Sequence, residues 1–463
     1  MKSKIQLAMT EHGIGRRDFL ARAALGGGAL LLGSLPQAQG VLGAEANPVS
    51  KTDPSQWLLQ HQQRTPLPPP PKIIDVRHVK LCYESQRYCG HPRQGIFKYF
   101  GNGEIIVGHN HAPCGYKNQN DVRHGADGYH GRAKLLLQRS LDDGQTWPED
   151  QNVVVYDETI SPEAKRAFLY QKGAPREQYD MFRPESVFFF GRTYLPERGK
   201  KNTVCFVLRS PDKGHTWEKV PTIVEDPGGA DGYVHKDCPP VVRMPDGKTL
   251  LAAMSVGMPG NNPAIYASTD NGLSWQYRCD VVKDLSGIGR FTYAALLLLP
   301  DGRLQCYTLH ITASDYRGDR YQVDGLKDAI CVCDSADGGH TWGDPAPIVG
   351  KGMGCWQPVD KRAQGNFYRS PWPVLLADGR ILVLFARRRS PRGIGGTTSA
   401  DGGKTWSEEF VIRTGGCSCE DLGYPVACQL EDGRIFTAYY YNTPSKTSRN
   451  AIRYIAGTLF RLG

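Results

Sequence analysis

No stretch of this 463-residue chain carries an extended amphipathic helical pattern, so the fold should be almost entirely β. A dinucleotide fingerprint is absent, and the glycine run Gly26 to Gly28 belongs to a leader, not to a phosphate-binding loop. Cysteine and histidine spacings of the zinc type are also missing, so no cofactor and no metal are expected. The cysteines Cys331/Cys333 and Cys417/Cys419, with His340 or His310 nearby, read as buried strand thiols. Thirteen cysteines are an odd number in a chain large enough to build its own core, which argues against a disulfide scaffold, although a bridge between Cys82 and Cys89 stays open. The net charge is +9, or about +7 once the five basic and three acidic residues of positions 1–46 are removed. Long Lys/Arg runs are lacking, so nucleic acid is not the expected partner and an anionic ligand is.

What the chain has is repetition. The pattern Ser-x-Asp-x-Gly-x-(Thr/Ser)-Trp occurs five times, beginning at Ser140, Ser210, Ser268, Ser335 and Ser399, and it takes up five of the eight tryptophans. In each copy an aspartate (Asp142, Asp212, Asp270, Asp337, Asp401) is a short acceptor for loop N–H groups, and a glycine supplies the positive φ of a tight turn. The terminal tryptophan buries a large apolar surface between neighbouring sheets. These Asp boxes lack the further ligands that calcium requires, so they read as structural.

A second repeat runs in step. Asn/Asp-Gly turns at Gly103, Gly247, Gly302, Gly379 and Gly433 each separate two apolar runs of strand character. Each unit therefore reads as a four-stranded blade. Six blades are expected, beginning near Arg93, Arg183, Asp237, Tyr293, Arg369 and Tyr424, the sixth without an Asp box. The segment 73–82 alternates as a strand and is expected to complete the last blade, making one propeller domain of 73–463.

The N-terminus carries an address. Arg16-Arg17 precedes a mildly apolar stretch from Ala21 to Leu35, with Ala44-Glu45-Ala46 downstream, which reads as a twin-arginine signal spanning 1–46 and cleaved after Ala46. The apolar stretch is short and interrupted by three glycines, so no stable membrane anchor is expected. A linker over 47–72, rich in proline at 68–71, should be extended and solvated. The expected partners are the twin-arginine export machinery and a glycan, with the mature chain in the periplasm or secreted.

Five Asp boxes in a six-blade register resemble the sialidase (neuraminidase) superfamily over nearly all of the mature chain. That resemblance implies a site on the propeller axis, with arginines for a substrate carboxylate, a tyrosine nucleophile, a glutamate that activates it and an aspartate acid/base. A phenol suits an anomeric carbon that bears a carboxylate, because it is uncharged until it attacks. Counted back from the blade turns, Arg93 takes the place of the first arginine, ten residues before Gly103, and Tyr424 that of the nucleophile, nine before Gly433. Arg392, with Arg388 or Arg389 as substitutes, takes the place of the third arginine. Two groups depart from the pattern: Tyr293 stands where the glutamate is expected, and Leu309 and His310 where the second arginine is expected. Tyr129 stands at the acid/base position with Asp127 two residues away, so Asp127 is the candidate acid/base, and Glu420, Glu185 or Asp421 are candidate activators.

Other residues at blade starts extend the candidate pocket. Arg183, Arg290 and Arg369, joined by His235, Lys236 and Asp237, would place several cationic groups around one anionic ligand. His109 and His111 end a strand on the same face. The expected activity is that of an exo-acting, sialidase-type glycoside hydrolase on a terminal acidic sugar. A propeller lyase for uronic acid glycans, with a Tyr/His/Arg set that removes a proton α to a carboxylate, and a noncatalytic glycan-binding propeller are the alternatives.

Overall fold

The computed structural model describes residues 67–195, 203–227, 234–235, 240–256, 262–283, 289–312, 328–349, 368–388 and 391–463. The signal segment, most of the linker and Asp237 lie outside the described residues. Strand β1 (Ile73–Cys82) is followed by the first blade, built from β2 (Arg87–Gly90), β3 (Phe97–Tyr99), β4 (Ile105–Pro113), β5 (Lys134–Ser140) and β6 (Val153–Asp157). A short helix α1 (Pro162–Leu169), capped by Ser161 and opened by Pro162, leads to blade two: β7 (Val187–Tyr194), β8 (Thr203–Ser210) and β9 (Thr222–Val224). Blade three holds β10 (Val234–His235), β11 (Val242–Arg243), β12 (Leu250–Val256), β13 (Asn262–Ser268) and β14 (Gln276–Asp280). Blade four holds β15 (Gly289–Leu298), β16 (Leu304–Thr312), β17 (Asp328–Ser335) and β18 (Ala346–Val349). Blade five holds β19 (Tyr368–Leu375), β20 (Ile381–Arg387), β21 (Gly393–Ser399) and β22 (Phe410–Thr414). The last three strands are β23 (Gly423–Gln429), β24 (Ile435–Asn442) and β25 (Arg453–Leu462), and β1 lies outside β25 in the same sheet. The architecture is a six-bladed, all-β propeller.

Ring closure explains the count of Asp boxes. Strand β1 pairs antiparallel with β25 from Ile73↔Leu462 to Cys82↔Ile455. Blade six thus takes three strands from the end of the chain and its outer strand from the beginning. Elsewhere the box joins the last two strands of a blade, and in blade six no such connection exists.

Blade two differs from the expected four strands. Residues 176–186 before β7 form no strand. Pro184 has no N–H to give to a ladder, and other backbone donors here are already engaged, Met181 N–H by Asn271 Oδ1 at 3.0 Å and Ser186 N–H by the Arg183 carbonyl at 3.1 Å.

The boxes are built alike. Asp142 accepts from the N–H groups of Gln145 and Thr146 at 3.0 and 2.9 Å and from the Thr146 hydroxyl at 2.7 Å, while Ser140 Oγ accepts from the Gly144 N–H at 2.9 Å. Each box glycine also touches the preceding blade. A Cβ on Gly144 would stand 2.6 Å from the Phe436 ring of blade six, and one on Gly272 would stand 2.5 Å from Phe188 of blade two. The indoles follow, Trp147 against Phe436 and Trp275 against Phe188, each with ring centroids 5.7 Å apart.

Burial pushes the box carboxyls up, but the Thr/Ser hydroxyl and amide donors outweigh it and hold Asp142, Asp212, Asp270 and Asp401 below the usual range and Asp337 at about 2. Depressed folded values mean that the unfolded chain binds more protons, so this stability is complete above about pH 4 and is lost as pH falls toward about 2. Urea midpoints should drop steeply below about pH 4. Asp142→Ala should cost about 1–2 kcal/mol at neutral pH, read from urea unfolding.

Candidate active site

The inner strands of blades four, five and six share one local distortion. The partner registers Thr292↔Leu309 then Ala295↔Tyr307, Arg369↔Ala386 then Trp372↔Leu384, and Gly423↔Tyr440 then Val426↔Ala438 each carry one extra residue on the inner strand. At these bulges Tyr293, Ser370 and Tyr424 adopt φ of +59°, +46° and +55°, each nine residues before its turn glycine. Such a conformation is unfavourable for residues with a Cβ, especially bulky ones, and is retained only where the surroundings impose it. Gly423 itself has φ +123°, and a Cβ there would lie 2.4 Å from Ala386 Cβ.

The bulges bring two phenols together. Tyr293 and Tyr424 hydroxyls are 2.6 Å apart, with the rings edge to face at 5.3 Å. Tyr424 is buried, at 5 % exposure. Burial first, and then the neighbouring Tyr293, hold its phenol well above the usual value, while Arg388 and Arg369 oppose this. Arg388 lies 5.9 Å from the Tyr424 ring, and Arg93 and Arg369 lie 5.7 and 5.8 Å from the Tyr293 ring.

A second layer joins the two ends of the chain. His91 sits with its ring 4.6 Å from that of Tyr424, and its Nδ1 is 2.7 Å from the Tyr129 hydroxyl. Tyr129 stacks on Tyr88 at 3.8 Å. Asp421 accepts from the hydroxyls of Tyr440 at 2.7 Å and Tyr88 at 3.2 Å and from Arg453 Nε at 2.8 Å. Arg388 in turn donates to the Tyr440 hydroxyl at 2.8 Å and the Leu422 carbonyl at 3.0 Å. Burial drives the Asp421 carboxyl up, and Arg453, followed by His124 and Arg388, outweighs it and holds the group ionised.

Burial, followed by the charge of His124, pushes His91 well below its ordinary value. The ring should therefore stay neutral as the solution is acidified through about pH 6.5, where an unfolded histidine takes up a proton. In that range the unfolded state binds more protons than the folded one, so His91 makes the fold less stable as pH falls. Imidazole carbon shifts, assigned with His91→Gln, check this: the His91 signal should not titrate near pH 6.5.

Among the residues singled out in the sequence, Tyr424, Tyr293, Arg93 and Arg369 meet in this cluster, together with Arg388, the substitute for Arg392. Arg93 is fully buried and gives Nη2 to the Tyr293 and Ala294 carbonyls at 2.6 and 2.5 Å, so it holds the bulge in place. Arg392 donates Nε to the Arg388 carbonyl at 3.1 Å. Asp127 is exposed and paired with Arg123 at 2.9 Å. Glu420 is exposed as well, and its neighbour Asp421 is the carboxylate in the network. Arg183 and Arg290 are exposed, and His310 is buried against Phe291 at 4.9 Å. His91, Tyr440 and Arg453 were not singled out, and the one local hint is the His91-Pro92-Arg93 run beside a known candidate.

His91, His124 and Asp421 present ligand atoms within 4.8 Å of one another. Arg453 already pairs with this carboxylate and Arg388 adds a second positive charge, so a cation here would meet two guanidinium groups. The donor set fits a proton and hydrogen-bond network better than a metal.

The class defined so far is the six-bladed propeller, and solved structures share it. A protein of unknown function from Dyadobacter fermentans is similar with a TM-score of 0.57 at 20 % identity, covering 84 % of this chain and 99 % of that one. Penicillium chrysogenum α-L-arabinanase, solved with arabinobiose, is similar with a TM-score of 0.50 at 15 % identity, covering 84 % of this chain and 98 % of that one. The Hadza microbial sialidase Hz136 is similar at 17 % identity with a TM-score of 0.46, covering 81 % of this chain and 64 % of that one. At these identities the likeness is one of fold. No family model and no curated protein sequence matches the chain.

Proposed function

We propose that this protein is a propeller glycosidase acting on a terminal acidic sugar, with the Tyr424 phenol as nucleophile. The observation that carries the reading is the pair of strained tyrosines at matching bulges, hydroxyls 2.6 Å apart and flanked by arginines. Strain of this kind gathers at functional sites, and two aligned phenols provide a path for the proton that Tyr424 must lose as it attacks. Tyr293 stands where a glutamate was expected; its hydroxyl takes the Tyr424 proton as it passes its own to water at its half-exposed edge, and Arg93 and Arg369 flank its ring. Arg388 and Arg369 are placed to hold the anionic group of the sugar. His124, exposed and 4.0 Å from Asp421, is the better acid/base candidate, because Asp127 is already held by Arg123. The leader segment supports action outside the cytoplasmic membrane.

One observation favours a lyase instead. Among the described residues no carboxylate hydrogen-bonds Tyr424, and the hydrogen-bonded Tyr129–His91 pair, with a neutral imidazole, lies against its ring. A neutral histidine beside tyrosines is a set that can remove a proton α to a carboxylate. The full-chain protein should be assayed on a fluorogenic sialoside and on a uronic acid polysaccharide. Release of the aglycone with no ultraviolet-absorbing unsaturated product supports the hydrolase. The unsaturated product alone assigns the lyase, and glycan binding with neither product assigns the noncatalytic reading.

A further inference from the structure

We propose that Cys82, Cys89 and His111 form a site for a soft divalent ion of the zinc class at the seam where the propeller closes. Their ligand atoms lie within 4.8 Å of one another. Both thiols are buried and stand 3.3 Å apart, and His111 is mostly covered. Backbone pairing brings the set together, since Cys89 on β2 faces His111 on β4, while Cys82 ends the β1 strand that completes blade six.

A carboxylate already holds the imidazole. Its Nε2 is 2.7 Å from Glu84 Oε1, which leaves Nδ1 for an ion and supplies the carboxylate–histidine pairing that fixes and strengthens such ligands. The neighbouring His109 also borders Cys82, with its Nε2 on Gln138 at 3.0 Å and its Nδ1 on the Asn110 carbonyl at 3.1 Å. Thiolates and imidazole together favour zinc over harder cations.

Distance separates this reading from a disulfide. Two thiolates about 2.3 Å from one tetrahedral ion stand roughly 3.8 Å apart, so the sulfurs must spread by about 0.5 Å. A disulfide requires them to close by more than about 1 Å. On binding, each thiol forms a metal–sulfur bond and releases its proton to solvent, with no change of oxidation state. The ion would tie β1 to the first blade across the seam, with water as the fourth ligand.

The test uses the full-chain protein, reduced, freed of metal and titrated with Zn²⁺ against a chromophoric chelator, with Co²⁺ as a spectroscopic probe. About one ion per chain should bind, and Co²⁺ should give thiolate-to-metal charge-transfer absorption. Binding should vanish in Cys82→Ser/Cys89→Ser and weaken about 10- to 100-fold in Glu84→Gln. Because the cysteine variants need not fold, the wild-type cobalt spectrum decides by itself, and absence of the thiolate band overturns the site. A Cys82–Cys89 disulfide in the purified chain that takes up no metal after reduction overturns it equally.

Discussion

Tyr424→Phe should remove turnover on any substrate the wild type processes, by about 10⁴-fold or more, since the proposed nucleophile has no substitute in its own site. The same change should leave the fold in place. Phenylalanine keeps the edge-to-face contacts with His91 at 4.6 Å and Tyr293 at 5.3 Å and loses only the bond between the two hydroxyls. That bond is worth about 1 kcal/mol, because Tyr293 is half-buried and its hydroxyl can turn to water. The measurement pairs kcat/KM with urea unfolding. Activity within tenfold of wild type would remove Tyr424 from the chemistry. Loss of activity together with unfolding would leave the phenol's role to be read from Tyr293→Phe, which retains the nucleophile and breaks the same bond.

The second large effect concerns stability. Arg209 is completely buried, and Glu218 accepts from its backbone N–H at 2.9 Å, its Nε at 3.0 Å and its Nη2 at 2.7 Å. Arg209 also donates Nη1 to the Asn271 carbonyl in the box of blade three, at 3.2 Å, so the pair links two blades. Glu218→Ala strands a guanidinium inside the protein and releases Arg176, which also bonds this carboxylate at 3.1 Å. It should cost about 3–5 kcal/mol. The double change Arg209→Met/Glu218→Leu removes the charge along with its partner and should cost much less. Guanidinium unfolding of the three proteins checks this, and a double variant as unstable as Glu218→Ala would show that packing, not the stranded charge, sets the cost.

The legible parts of the sequence were those that depend on a few neighbouring residues. The Asp boxes and Asp-Gly turns show because glycine and aspartate meet local backbone demands, and the strand 73–82 shows through its alternation. Blade two was harder to read, since its irregular entry depends on Pro184 and on a bond to Asn271 in the next blade. At the site, counting from the turns reached Tyr424, Tyr293 and Arg369 because their strands share one bulge. It did not separate Glu420 from Asp421, for one residue changes which group joins the network. The assembly of His91 and Tyr129 with Asp421 and Arg453 was out of reach, because ring closure brings together segments separated by some three hundred residues.

The pairing of β1 with β25 also sets the order in which the molecule can be finished. During synthesis the first strand emerges long before its partner exists, and it must wait with an unpaired edge until Arg453–Leu462 has left the ribosome. Blades one to five can form behind the growing end, but the last blade and the Asp421 cluster cannot. A chain cut before Arg453 would lose the closing sheet along with part of its candidate site.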